Sequence, residues 1–174
     1  MGNYAVVRTD LMLGTDARSR LVSVKYMGSG TTATAIENGN VVKLDGKLVN
    51  GTGATAVTER EVYKGVTPAA GTDLKEVVLI ASPEVMYDDL KKDLSDFRNE
   101  AGDIARGYRF HSGEVFSATA AAFTGTPAKG SIIELQAGTK MKAVSSATSG
   151  STAIGKCIDV EVVGPYTYYV IEVA

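Results

Sequence analysis

Apolar positions along this chain of 174 residues come in short bursts separated by glycine, asparagine, serine and threonine. "LVSVKY" from Leu21, "REVYKGV" from Arg60, "EVVLIAS" from Glu76, "GKCIDVEVV" from Gly155 and "YTYYVIEV" from Tyr166 are rich in β-branched and aromatic residues. Such runs suit strands, where those side chains pack on a pleated surface. "YAVVR" from Tyr4 and "KMKAVSS" from Lys140 read the same way, and "EVVLIAS" is apolar enough to lie in a core. One phrase recurs: "NGNVVKL" starts at Asn38, "KGSIIEL" at Lys129, and "SGEVF" from Ser112 is a looser third copy. Asn and Gly both tolerate positive φ, so each phrase reads as a tight turn and then a strand. The copies are too irregularly spaced for a solenoid, which keeps a fixed period. A duplicated hairpin and a favoured way of starting a strand both explain them. Gly164-Pro165 divides the last two strands as a hairpin would. Residues 46–58, "GKLVNGTGATAVT", and residues 145–153 read as polar loops, the first of them mobile.

One segment carries a different period. Met86, Leu90, Leu94, Phe97, Ala101 and Ile104 follow one another at steps of three and four, which lines one face of a helix. Ser82 can cap it, Pro83 suits its first turn, and Glu84 suits the positive end of its dipole. The opposite face holds Asp88, Asp89, Lys92, Asp96, Arg98 and Asp103. The fold class expected is therefore mainly β: a small barrel or sandwich of short strands, with one amphipathic helix over about 82–105 packed on it. The domain reading is an N-terminal strand or arm over 1–26 and a single β-rich domain over 27–174.

Composition narrows the class without naming a chemistry. Hydrophobic content of 44% and charged content of 22% are ordinary for a soluble globular chain. Glycine is abundant at 19 residues and tryptophan is absent, which favours many short strands over a helical bundle. A net charge of −2 argues against a nucleic-acid partner, which would call for a basic patch or stripe. No apolar run approaches the roughly 20 residues that span a bilayer, so no membrane partner is expected. "MGNYAVVRTD" lacks the basic and apolar regions of a secretory signal, and synthesis in a cytoplasm without export by the general route is the expectation.

No residue pattern along the chain assembles a reactive group. His111 is the only histidine, which leaves no multi-histidine metal site, and no nucleophile motif accompanies it. Cys157 is the only cysteine; its alternating apolar neighbours make it a small buried hydrophobe rather than a nucleophile. Asp88, Asp89, Asp93 and Asp96 are interleaved with Lys91 and Lys92 and lack the glycine spacing of a calcium loop. "GSGTT" and "GTGAT" lack the Lys-Ser/Thr of a phosphate loop. The expectation is a non-enzymatic chain with no catalytic, cofactor-binding or metal-binding residues.

Two stretches offer contact surfaces instead. The N-terminal stretch carries Arg8, Arg18 and Arg20 around Leu11, Met12 and Leu13, apolar residues with no periodic place in a core. Arginine beside exposed apolar side chains is what docking on another protein uses, although a first hairpin of the domain explains the stretch equally well. Tyr166 and Tyr168 fall on one strand face and could form a contact surface or sugar platform, or pack on neighbouring strands.

"ENGNVVKL" followed by "REVYKGVTP", then "ASPEVMYDDLKKDLSDF", then "KGSIIELQAGTKMKAVSS" and "AIGKCIDVE", resemble the small structural proteins of tailed-bacteriophage heads. In particular they resemble head decoration, or capsid cement, proteins, in their short G-x-[VI]-[VI]-x-L strands, a polar loop and a closing [IV]-G-x-[CVI] strand. The similarity covers most of the chain from about Asn38 onward, and the segment over 82–105 departs from the most compact decoration modules. The resemblance implies a virion protein on the capsid surface that binds the major capsid protein and self-associates, with a trimer as the expected form. A tail-tube or other phage structural subunit is the first alternative. A carbohydrate-binding or adhesin module using the C-terminal tyrosines is the second.

Overall fold

The computed structural model describes residues 4–9, 12, 20–87, 90 and 93–174. Its strands are β1 (Leu21–Tyr26), β2 (Val41–Asn50), β3 (Val57–Val66), β4 (Val77–Ile80), β5 (Ile104–Arg109), β6 (Val115–Thr119), β7 (Phe123–Thr124), β8 (Ile132–Glu134), β9 (Met141–Val144), β10 (Ala153–Val163) and β11 (Tyr166–Val173). The first five close into a barrel in the order β1-β3-β2-β4-β5, with β5 returning to β1. Its pairs are antiparallel except β1 with β3. The remaining six form a sheet in the order β6-β11-β10-β8-β9-β7. The chain is mainly β, as its sequence pattern implies.

The recurring phrase is a turn-then-strand device used in both layers. Gly39, Gly113 and Gly130 all have positive φ, and each leads directly toward a strand: β2, β6 and β8. At Gly39 space matters as well as φ. A Cβ there would lie 2.8 Å from the Ala122 Cβ and 3.0 Å from the Ala5 Cβ, where the N-terminal segment, barrel and sheet meet.

Period-2 alternation divides the apolar residues between two cores. Along β4, Val77 and Leu79 face the sheet, whereas Val78 and Ile80 face the barrel interior, so "VVLI" is buried on both sides. The barrel interior holds Val24, Tyr26, Ile36, Val42, Val78, Ile80 and Ala105. The larger core lies between barrel and sheet and takes Phe116, Ile133, Leu135, Met141, Ile154, Tyr169 and Ile171, with Ala5 and Val7 added from the N-terminal segment. Burying each large aliphatic there contributes about 1.5–3 kcal/mol.

Three expectations are corrected. No α-helix forms over the described part of 82–105: residues 82–87 are irregular, Leu94–Asp96 is a single 3-10 turn, and Ile104 opens β5. The helical stripe is not a buried face, since Leu90 is 90% exposed and Ile104 58%. Strand pairing outweighs helix propensity here. Ala81 N–H donates to the Arg106 carbonyl, Ile36 and Asn99 exchange backbone hydrogen bonds, and residues 104–108 pair with β1 to close the barrel. Ser82 is no helix cap; its hydroxyl accepts from Arg106 N–H instead. Second, the loop expected over 46–58 is mostly hairpin, because β2 runs to Asn50 and β3 starts at Val57. Third, "YAVVR" is not a full strand; it makes an isolated bridge, Val7 with Ala118.

Candidate functional site

The residues expected at an interface separate into different environments. Leu11, Leu13 and Arg18 lie outside the described residues. Residues 5–7 are buried, so this segment is part of the body rather than a loose arm: Val6 N–H donates to the Thr119 hydroxyl and Arg8 N–H to the Ser117 carbonyl. The Arg8 guanidinium lies 5.6 Å from the centre of the Tyr168 ring, a cation–π contact. Met12 packs partly buried against the larger core. Arg20 pairs with Glu114 across the turn that leads into β6. Tyr168 is only 2% exposed, which removes it as a platform; its ring centre is 5.9 Å from that of Tyr166. Tyr166 is half-buried and borders a shallow depression with Leu90, Leu94 and Pro165. β1, the second part of the 1–26 stretch, is a barrel strand.

Two β-ribbons run past the layers that hold them, and periodicity alone does not show this. β10 pairs with β8 only as far as Lys156, while its pairing with β11 continues to Val163. Residues 158–163 therefore have an open edge on the β8 side among the described residues. β3 pairs with β1 only from Val62 onward, so residues 57–61 are open in the same sense. Both ribbons carry exposed valines: Val162 at 75% and Val57 at 64% exposure, with Val49, Val160 and Val163 also exposed. Exposed apolar residues along an open strand edge form a template for another chain.

The β10–β11 ribbon has a defined edge. Val163 and Tyr166 flank the two-residue turn Gly164-Pro165, whose glycine has φ +59°, as the first position of a type II′ turn requires. That flanking pair is hydrogen-bonded, so by alternation the backbone groups of Val160 and Val162 point away from β11, toward the open edge. Their side chains share the face of Tyr169, which lies in the core. The core-facing side of the ribbon thus continues into solvent as valines. The other face carries Asp159 and Glu161, opposite Val170 and Tyr168.

Beside β3 lies a groove of 440 Å³ lined by Leu21, Val22, Ser23, Lys47, Arg60, Glu61, Tyr63 and Arg109. The Lys47 ammonium is 3.5 Å from the centre of the Tyr63 ring, and Arg109 is 5.7 Å from it. A hydrogen bond from Lys47 holds the Tyr63 phenol below its ordinary pKa; slight burial opposes this, and the charges of Lys47 and Arg109 add to it. The groove is basic.

Elsewhere the polar groups are structural. Asn38 is fully buried; its amide donates to the Ser82 carbonyl at 2.8 Å and accepts from Ser82 N–H at 2.9 Å. Cys157 lies in the core, where burial raises its thiol pKa, and its Sγ donates to the Asp159 carbonyl at the bulge in β10. His111 sits half-exposed in the turn before β6, its N–H bonded to the Glu114 carboxylate. Glu134 is 1% exposed. Burial pushes its pKa up, but hydrogen bonds from the Thr148 side chain and backbone, and then Lys142 at 3.1 Å, outweigh this and hold it below the ordinary value. Among the described residues no three His, Cys, Asp or Glu side chains gather as metal ligands, and no helix is long and apolar enough to cross a membrane. Compared with protein-family models, curated proteins and solved structures, the chain has no significant match.

Proposed function

We propose that this chain is a non-enzymatic structural part of a phage virion, binding the outside of an assembled capsid through the major capsid protein and stabilising the shell. The observation that supports it most is the pair of β-ribbons that extend past a continuously packed body, with valines exposed along open edges. A protein that reinforces a shell uses a rigid body to hold extended contact elements, and strand edges supply backbone hydrogen bonds over a long line. The experiment mixes purified protein with bare capsids, sediments them, and measures the capsids' resistance to heat. Saturable co-sedimentation with later capsid disruption is the expected result. No co-sedimentation at concentrations well above the capsid-subunit concentration would overturn the reading.

A tail-tube subunit is the second reading, favoured by the same open edges, because tube subunits join neighbours around and along a ring. Spontaneous polymerisation of the purified chain into tubes without capsids would select it. The carbohydrate-binding alternative loses Tyr168 to burial.

A further inference from the structure

We infer that the chain associates with a second copy of itself head-to-tail, the open edge of β10 at 158–163 adding to the open edge of β3 at 57–61 of the next copy. This deepens the reading of the chain as an assembly subunit and rests on it. Three observations converge. Both edges lack a strand partner among the described residues. Both carry exposed valines: Val160 and Val162 on one, Val57 on the other.

The third observation is charge. In β10, Val160 and Val162 share one face, while Asp159 and Glu161 share the other. The β3 edge carries Arg60, and the groove beside it adds Lys47 and Arg109; no carboxylate pairs with these three among the described residues. From residue 157 onward the chain contains Asp159, Glu161 and Glu172 and no lysine or arginine. Asp159 is paired with Lys129 at 3.4 Å, which leaves Glu161 as the acid of this edge that meets Arg60. Two different edges meet in this contact, so it is heterologous: it closes as a ring or continues as a filament.

The test is sedimentation velocity on the full chain over a concentration series at low and high salt. The wild type is expected to associate, and more weakly at high salt. Val162→Pro removes an N–H that points away from β11, so it blocks addition while leaving the ribbon's own hydrogen bonds intact. It should sediment as a monomer with an unchanged melting curve. Val162→Lys, which leaves the backbone untouched, should weaken association at least tenfold. Arg60→Glu should weaken it likewise, and an equimolar mixture of Arg60→Glu with Glu161→Arg should restore mixed association. A wild type that stays monomeric throughout, or association indifferent to all of these variants, would overturn the inference. Capsid co-sedimentation of the Val162→Pro monomer separates the two readings: retained capsid binding with lost self-association leaves the capsid proposal standing by itself.

Discussion

Inside the barrel the side chains are mostly valine, isoleucine and alanine, and two of the inward positions are Gly65 and Gly107. Between barrel and sheet, alanines and valines are joined by phenylalanine, leucine, methionine, and further isoleucine and tyrosine. A Cβ on Gly65 would come 2.6 Å from a Val24 methyl, and one on Gly107 would come 2.9–3.1 Å from methyls of Val78, Val22 and Val24. A barrel of five strands is narrow, so its interior closes by leaving side chains out; the open space between two layers closes by putting large ones in. The two cores should therefore fail in opposite directions.

The largest effect is expected in the inter-layer core. Leu135 is fully buried, and Leu135→Ala should cost about 2–5 kcal/mol in urea unfolding, because the cavity lies between two layers that cannot both collapse onto it. In the barrel the reverse change is the damaging one. Gly65→Ala should cost about 1–3 kcal/mol by overpacking, and Val24→Ala in the same chain should recover part of it by removing the methyl 2.6 Å from the new Cβ. An additive double variant would show that the barrel interior has slack and the comparison fails.

A polar probe of the sheet layer comes next. Glu134 is held ionised by Thr148 and Lys142, so its folded pKa lies below the unfolded one. Its contribution is present above the unfolded pKa and fades as pH falls through the folded value. Glu134→Gln should cost about 1–3 kcal/mol at neutral pH, and the gap to wild type should narrow toward acid. A gap independent of pH would remove the ionised carboxylate from the account. The smallest effect belongs to the ribbon edge: Val162→Thr, at a position 75% exposed, should move stability by no more than about 0.5 kcal/mol. A larger loss would show that Val162 belongs to the body and not to a contact surface.

The glycine turns, the strands they start and the final hairpin were legible in the sequence, because the demand for positive φ at Gly39, Gly113, Gly130 and Gly164 is local and few residues meet it. That "VVLI" lies in the core was legible from its apolar run, while its burial between two cores emerged only from the structure. What residues 82–105 become was not. A stripe at helical spacing competes there with pairings to Ile36, Asn38 and β1, where Ala105 lies opposite Val24, 105 − 24 = 81 residues away in sequence, and only the closed barrel reveals them. The candidate interface was legible only as chemistry, arginines and tyrosines near apolar residues. Which of these are buried, and where strand edges stay open, depends on how far each neighbouring strand extends. Tyr168 was withdrawn beneath Arg8, while Val57, Val160 and Val162, ordinary strand valines in the sequence, were left at open edges because β1 and β8 stop short of them.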